Sequence, residues 1–219
     1  MDRLTNISEL KTAHSDLWNQ ATHHPFISEL GTGTLPIEKF RRYFIQDYVF
    51  VNDLSKTLGI AEAKAPDIAS ARPMAEFQSA LMGAEDALFL RAFKELGVEE
   101  SEWRSAALSP TTAAFGDFLV RTAYEGGFEE ICAAFAVTEG VYMDWGQRLA
   151  DAGSEPENEL YGEWITLHTE QVLGPFVQFV GRVVDAVPNS DLKRLSNVFE
   201  RTLQYENRFW DMAYSGETW

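Results

Sequence analysis

Apolar residues recur every three or four positions along nearly the whole chain, and this periodicity constrains the fold more than any other feature. In the stretch LPIEKFRRYFIQDYVFVNDLSKTLGIAEAKA, Phe40, Phe44, Val51, Leu54, Leu58 and Ala61 follow helical spacing. An amphipathic helix turns such a stripe toward the core. No sustained alternation of period two and no Asn-Gly hairpin signal occurs, so strands are not expected. The pattern predicts helices at about 7–22, 36–64, 67–94, 110–125, 127–151, 156–187 and 190–214. Stop signals agree: Ser109 before Pro110 is a good N-cap with proline at N1, and the 151–156 segment Asp-Ala-Gly-Ser-Glu-Pro breaks a helix. The expectation is an all-α, single-domain bundle of about seven helices covering residues 1–219.

Charge and composition exclude several classes. Of 219 residues, 34 are acidic and 18 basic, a net charge of −16. Duplex binding needs a basic footprint, and the longest Lys/Arg cluster is Arg41-Arg42, so no nucleic-acid partner is expected. No apolar run approaches the ~20 residues of a membrane span, and the polar amino-terminal stretch lacks the apolar middle of a secretory signal. With one cysteine, Cys132, there is no disulfide framework. These features predict a cytoplasmic protein with no membrane partner. The 28 aromatic residues exceed what one small core uses, which favours a homo-oligomer.

Three polar residues sit in otherwise apolar stripes. Asp47 falls in the Phe40–Ala61 series. Thr138 lies in the series Phe128, Ile131, Phe135, Thr138, Tyr142, Trp145, Leu149, with Glu139 on its flank. Glu206 lies in the series Leu195, Val198, Thr202, Glu206, Phe209, Ala213. Each has a bland explanation: a salt-bridged or capped Asp, or a Glu that snorkels outward. Three together are harder to dismiss, because buried polar groups must pair or line a cavity. An apolar pocket with a few convergent polar groups is the usual small-molecule site. One enclosed cavity surrounded by Asp47, Phe50, Thr138, Tyr142, Glu206 and Phe209 is therefore expected.

Metal and thiol chemistry find little support. None of His14, His23, His24 and His168 follows a Glu by three or pairs with another His by four, so the Glu-x-x-His motif of di-iron bundles is missing. No metal and no cofactor are expected. Cys132 has apolar neighbours and the acidic Glu129 and Glu130 nearby, a setting that raises a thiol pKa and makes it inert.

The ordered pieces His24-Pro25-Phe26, Gly33-Thr34-Leu35-Pro36, Tyr43-x-x-Gln46-Asp47, Ala61-x-Ala63-Lys64-Ala65, Pro110-Thr111-Thr112, Tyr142-x-x-x-Gly146, Tyr161-x-x-Trp164-Ile165 and Glu206-x-x-Phe209-Trp210-Asp211 resemble the TenA, or thiaminase II, family of the heme-oxygenase-like fold. The resemblance implies a homotetramer that hydrolyses aminomethylpyrimidine in thiamin salvage, some members cleaving thiamin itself. It implies that Asp47 hydrogen-bonds the pyrimidine, that Glu206 handles the proton of the leaving amine, and that Tyr142, Phe50 and Phe209 line the ring.

Departures from the family pattern fall at three positions. The family's nucleophilic cysteine, four residues before the pocket tyrosine, corresponds to Thr138. Phe115 stands where a tyrosine follows Pro-Thr-Thr, and His168 where a tyrosine follows Trp164 by four. An unassisted threonine hydroxyl is a poor nucleophile, so Glu139 or Glu206 is expected to activate water instead. A pyrimidine-binding or regulatory protein without catalysis is the competing reading. A different reaction on another ligand, with His168 contributing a new group, is a third.

Overall fold

A computed structural model describes residues 5–219; the first four residues of the amino-terminal stretch lie outside the described residues. All regular structure among the described residues is helical. The α-helices are α1 (Asn6–Ala13), α2 (Ser15–Thr22), α3 (Pro25–Thr32), α4 (Ile37–Lys64), α5 (Ile68–Ala80), α6 (Asp86–Glu95), α7 (Glu100–Arg104), α8 (Pro110–Glu125), α9 (Phe128–Asp151), α10 (Glu159–Leu167), α11 (Glu170–Asp185) and α12 (Leu192–Ser215). No helix among them is long and apolar enough to cross a membrane.

The chain forms two compact units. One comprises residues 5–34 and Glu129–Asn207, the other Leu35–Phe128 and Arg208–Trp219. In the first, α1 packs on α2 and α11, and α10 packs on α3 and α11. Its core includes Ile131, Phe135, Trp145, Trp164, Val180, Leu195, Phe199 and Leu203, each at most 1% exposed. In the second, α4 is the central rod and packs against α5, α6, α7 and α8. Phe40, Phe44, Leu58, Phe89, Phe93, Phe115 and Trp210 fill that core. Burying one such side chain contributes about 1.5–3 kcal/mol.

The helix count exceeds the seven expected, because several of the expected stretches break and two short helices, α3 and α7, were not expected. The stretch 7–22 breaks at His14, whose backbone leaves the helical region (φ −116°, ψ 28°) while its Nε2 hydrogen-bonds Ser196 Oγ at 2.9 Å. His24-Pro25-Phe26 is the start of α3. The Phe26 N–H donates to His24 Nδ1 at 3.1 Å, Pro25 takes the first turn, and Gly33 closes the helix at φ 73°. Proline and glycine had disguised this short helix as a loop. The expected helix 156–187 divides at His168, because Thr169 is extended (φ −77°, ψ 161°) and opens α11. Between α5 and α6, Leu81–Glu85 forms a π turn, with Leu81 buried and Met82 57% exposed.

Elsewhere the start and stop signals act as expected. Ser109 caps α8 through the Thr112 N–H at 3.1 Å with Pro110 in the first turn. Helix α9 ends at Asp151, where the breaker cluster begins.

Candidate functional site

In the first unit, α9 is unusual in being buried on every side from Ile131 to Gly140. Such a helix lies in the interior, so its polar side chains must find partners locally. The Thr138 hydroxyl donates to Glu139 Oε1 at 3.1 Å; the two residues are 4% and 8% exposed. A hydroxyl held by a desolvated carboxylate is the pairing a general base needs, whether toward that hydroxyl or toward a water in its place. Cys132, on the same helix, is fully buried. Burial, then the Glu129 charge, pushes its thiol well above the ordinary range, so the thiolate is not accessible.

One turn beyond Thr138, the half-buried Tyr142 ring meets His168 at a centroid distance of 4.9 Å. Trp145 and Trp164 bring their rings to 5.2 Å and 4.4 Å of the same imidazole. The His168 Nδ1–H donates to the Trp164 carbonyl at 2.7 Å. Burial lowers His168 to about 4, against the opposing effect of that hydrogen bond. The ring is therefore neutral near pH 7, with its proton on Nδ1 and an acceptor lone pair on Nε2. Gly146 makes this arrangement possible: a Cβ there would run into the His168 carbonyl. That close approach accounts for the glycine of the Tyr142-x-x-x-Gly146 motif.

Glu206 lies on α12 and is 2% exposed. One turn earlier, the Thr202 hydroxyl is satisfied by the Val198 carbonyl at 2.7 Å. The next residue, Asn207, donates to the Leu17 carbonyl at 3.0 Å and ties α12 to α2.

In the second unit Asp47 is 8% exposed on α4. Burial raises its carboxyl to about 7, opposed by a hydrogen bond from Tyr43 one turn earlier. Phe50, Phe115 and Phe209 form a ring cluster, with centroids 4.8 Å apart for Phe50–Phe115, 5.6 Å for Phe50–Phe209 and 6.5 Å for Phe115–Phe209. Gln46 locks α8 to α4: its Oε1 accepts from the Ser109 N–H at 2.9 Å and the Thr112 hydroxyl at 2.8 Å. Tyr43 and Gln46 belong to the Tyr43-x-x-Gln46-Asp47 motif, whose sequence alone assigns neither of them a role. The i,i+4 spacing of Tyr43 and Asp47 was the available signal for the first.

The candidate residues thus form Thr138–Glu139, Tyr142–His168 and the buried Glu206 in one unit, and Asp47 with the Phe50–Phe115–Phe209 cluster in the other. Among the described residues no group of three or more His, Cys, Asp or Glu side chains could hold a metal.

Comparison with known proteins decides the family. The family model for the TENA/THI-4/PQQC family matches residues 11–216. The chain belongs to the TENA/THI-4/PQQC family. An aminopyrimidine aminohydrolase of Helicobacter pylori is 26% identical over 202 residues, covering 90% of this chain and 93% of its own. A Bacillus subtilis protein of the same name is 27% identical over 219 residues, covering 96% and 90%. Among solved structures, a TenA homologue from P. horikoshii OT3 superposes with a TM-score of 0.89 at 24% identity, over 97% of this chain and 100% of that one. A heme oxygenase-like domain of unknown function from Shewanella denitrificans gives 0.75 at 15% identity, over 94% and 91%. The fold is therefore the all-α, heme-oxygenase-like fold of TenA proteins.

Proposed function

We propose that this chain is a TenA-type hydrolase of thiamin metabolism that removes the amino group from an aminopyrimidine or related small amine by carboxylate-assisted attack of water. The buried Thr138–Glu139 pair is the observation that carries the reaction type: it places a carboxylate beside the hydroxyl that stands where the family uses a thiol. The curated relatives named aminopyrimidine aminohydrolase support the substrate class.

The roles follow from each group's surroundings. Asp47, raised to about 7, is poised between acid and carboxylate at neutral pH, so it both donates to and accepts from the nitrogens of a pyrimidine edge. Phe50, Phe115, Tyr142 and Phe209 supply flat apolar faces for the ring, and stacked aromatic pairs add about 0.5–1.5 kcal/mol each beyond burial. His168 offers an acceptor nitrogen to a ligand N–H or O–H. Glu139 takes a proton from water as the oxygen attacks the methylene carbon, with Thr138 orienting that water. The carbon–nitrogen bond breaks and Glu206 gives a proton to the departing amine. The products are the hydroxymethyl compound and ammonia. No cofactor takes part in this sequence.

We further read the chain as one TenA-like domain, in keeping with a single family model across residues 11–216. A cytoplasmic homotetramer fits the single unpaired cysteine and the exposed apolar side chains Ile68, Met82, Tyr124 and Val172. Its partner is a small pyrimidine, and neither nucleic acid nor membrane is part of this reading.

A thermal-shift screen with thiamin and with aminomethyl-, formylaminomethyl- and hydroxymethyl-pyrimidine tests the proposal. A ligand at 100 times its dissociation constant stabilises by about 2.7 kcal/mol, and ammonia or formate release identifies the substrate. Stabilisation by the aminopyrimidine without product release would favour the binding-protein reading. No response to any pyrimidine would refute the substrate class.

A further inference from the structure

His168 is held by the end of α10, and that attachment fixes which hydrogen bond its ring can still make. Its backbone N–H turns to the Ile165 carbonyl at 3.1 Å, while its side-chain Nδ1–H donates to the Trp164 carbonyl at 2.7 Å. A helix end leaves its last carbonyls without backbone partners, so the imidazole proton is committed to closing α10. The rings of Trp164, Tyr142 and Trp145 surround the imidazole at 4.4, 4.9 and 5.2 Å. Thr138, Tyr142 and Gly146 follow one another at single-turn spacing on α9, and the His168 backbone lies against Gly146. The imidazole therefore borders the face of α9 that carries Thr138.

The consequence falls on Nε2. The residue is 5% exposed, yet among the described residues no donor meets this nitrogen. Buried polar atoms in folded proteins are paired with few exceptions, and a buried acceptor left unmet weakens the fold. Exchange of tautomer offers no escape, because moving the proton to Nε2 would set the bare Nδ1 lone pair against the Trp164 carbonyl. Nor does protonation, since burial keeps the ring neutral near pH 7. Nε2 is an acceptor and nothing else. A tyrosine, which the family pattern has at this position, carries a hydroxyl that donates as well as accepts. His168 retains only the accepting half of that capacity.

We propose that His168 is a specificity-determining residue: its Nε2 accepts a hydrogen bond from a primary amino group of the ligand, so the site selects amino-bearing pyrimidines over analogues whose corresponding group carries no hydrogen. This deepens the pyrimidine reading above and rests on it. A methyl group fills nearly the same space as an amino group but leaves the buried nitrogen unmet, and that difference is the basis of selection.

The test is calorimetric titration of the full chain with three compounds: an aminomethyl-pyrimidine bearing a ring amino group, the same compound with methyl in place of the ring amino group, and the same compound with ethyl in place of aminomethyl. One of the two replacements is expected to weaken binding to the parent by about fivefold or more. In His168→Phe that same replacement should change affinity by less than about twofold, and His168→Gln, whose amide oxygen restores an acceptor, should recover the discrimination. A merely structural role would lower affinity for all three compounds alike, and that result overturns the proposal. So does a parent that binds all three equally, or a His168→Phe that discriminates as the parent does. Nitrogen-15 spectra of the parent imidazole serve if the variants do not fold. They should show the proton on Nδ1, with the Nε2 resonance moved by the amino compound and not by its silent analogue; a proton on Nε2 overturns the proposal. If none of the three compounds binds the parent, the pyrimidine reading fails and this proposal with it. Binding without a His168-dependent step removes this proposal alone.

Discussion

Asp47→Asn should flatten the pH dependence of stability between about pH 4 and 7, and the size of the effect follows from the burial of this carboxyl. Its folded value is raised from 3.8 to about 7, so the folded state binds a proton that the unfolded chain has released throughout that window. Stability changes with pH in proportion to protons bound unfolded minus folded, and here that difference is negative. The contribution of Asp47 is fully present below 3.8, falls as pH rises, and is gone above 7. A shift of about 3 units at about 1.36 kcal/mol each gives ~4 kcal/mol as the most that ionising this group costs the fold. His168 works in the opposite sense. With its value lowered to about 4, it removes stability as pH falls through the window from 6.5 to 4. The parent profile alone therefore mixes the two, and the difference between parent and variant isolates Asp47. Urea unfolding of both proteins at pH 4.5, 6, 7 and 8 measures it. The stability of Asp47→Asn relative to the parent should rise by 2–4 kcal/mol across the series, as an order of magnitude. Parallel profiles would show that Asp47 is already ionised in the folded protein and that its burial does not govern its charge.

Three further outcomes test the site. Thr138→Cys restores a thiol beside Glu139 and should confer thiamin cleavage that the parent lacks, while Cys132→Ser leaves turnover within about twofold because that thiol is sealed in the core; the pair is read by thiazole release. Glu206→Gln keeps the side-chain shape but cannot exchange a proton, so ammonia release should drop by roughly 10²–10⁴-fold with little change in ligand-induced thermal shift. Gly146→Ala forces a methyl against the His168 carbonyl and should destabilise by about 1–3 kcal/mol, measured by denaturant unfolding; a neutral result would mean that the α9–His168 approach is not tight.

The sequence disclosed most where one face of a helix is buried and the other is wet. Helix α4 is such an element: its stripe from Phe40 to Ala61 was legible, and the intrusion of Asp47 into it stood out for that reason. Helix α9 was harder to read. From Ile131 to Gly140 it has no wet face, so periodicity could not say that Glu139 turns inward beside Thr138. The breaks at His14 and His168 were hidden for another reason. They depend on contacts far away in the chain, with Ser196 in one case and with the bare backbone at Gly146 in the other. Local propensity carries no record of such partners. The partner of Asp47 was only four residues away, yet a tyrosine in an aromatic stripe is indistinguishable from core packing until its hydroxyl is seen.

The π turn at Leu81–Glu85 bears on how this family can tolerate changes in chain length. A π turn accommodates one residue more than the α-helix on either side of it. Of its outward residues, Met82 is more than half exposed and Gly83 faces open space. Losing one of them would let the backbone relax to ordinary α geometry while Met74 on one side and Phe89 and Phe93 on the other kept their faces to the core. The same deletion a few residues later, within α6, would rotate everything beyond it by about 100° and swing a buried phenylalanine into water. Among relatives, single-residue gaps in this stretch should therefore gather at 81–85 and avoid 86–95, making the turn a place where sequence alignments slip without the fold being disturbed.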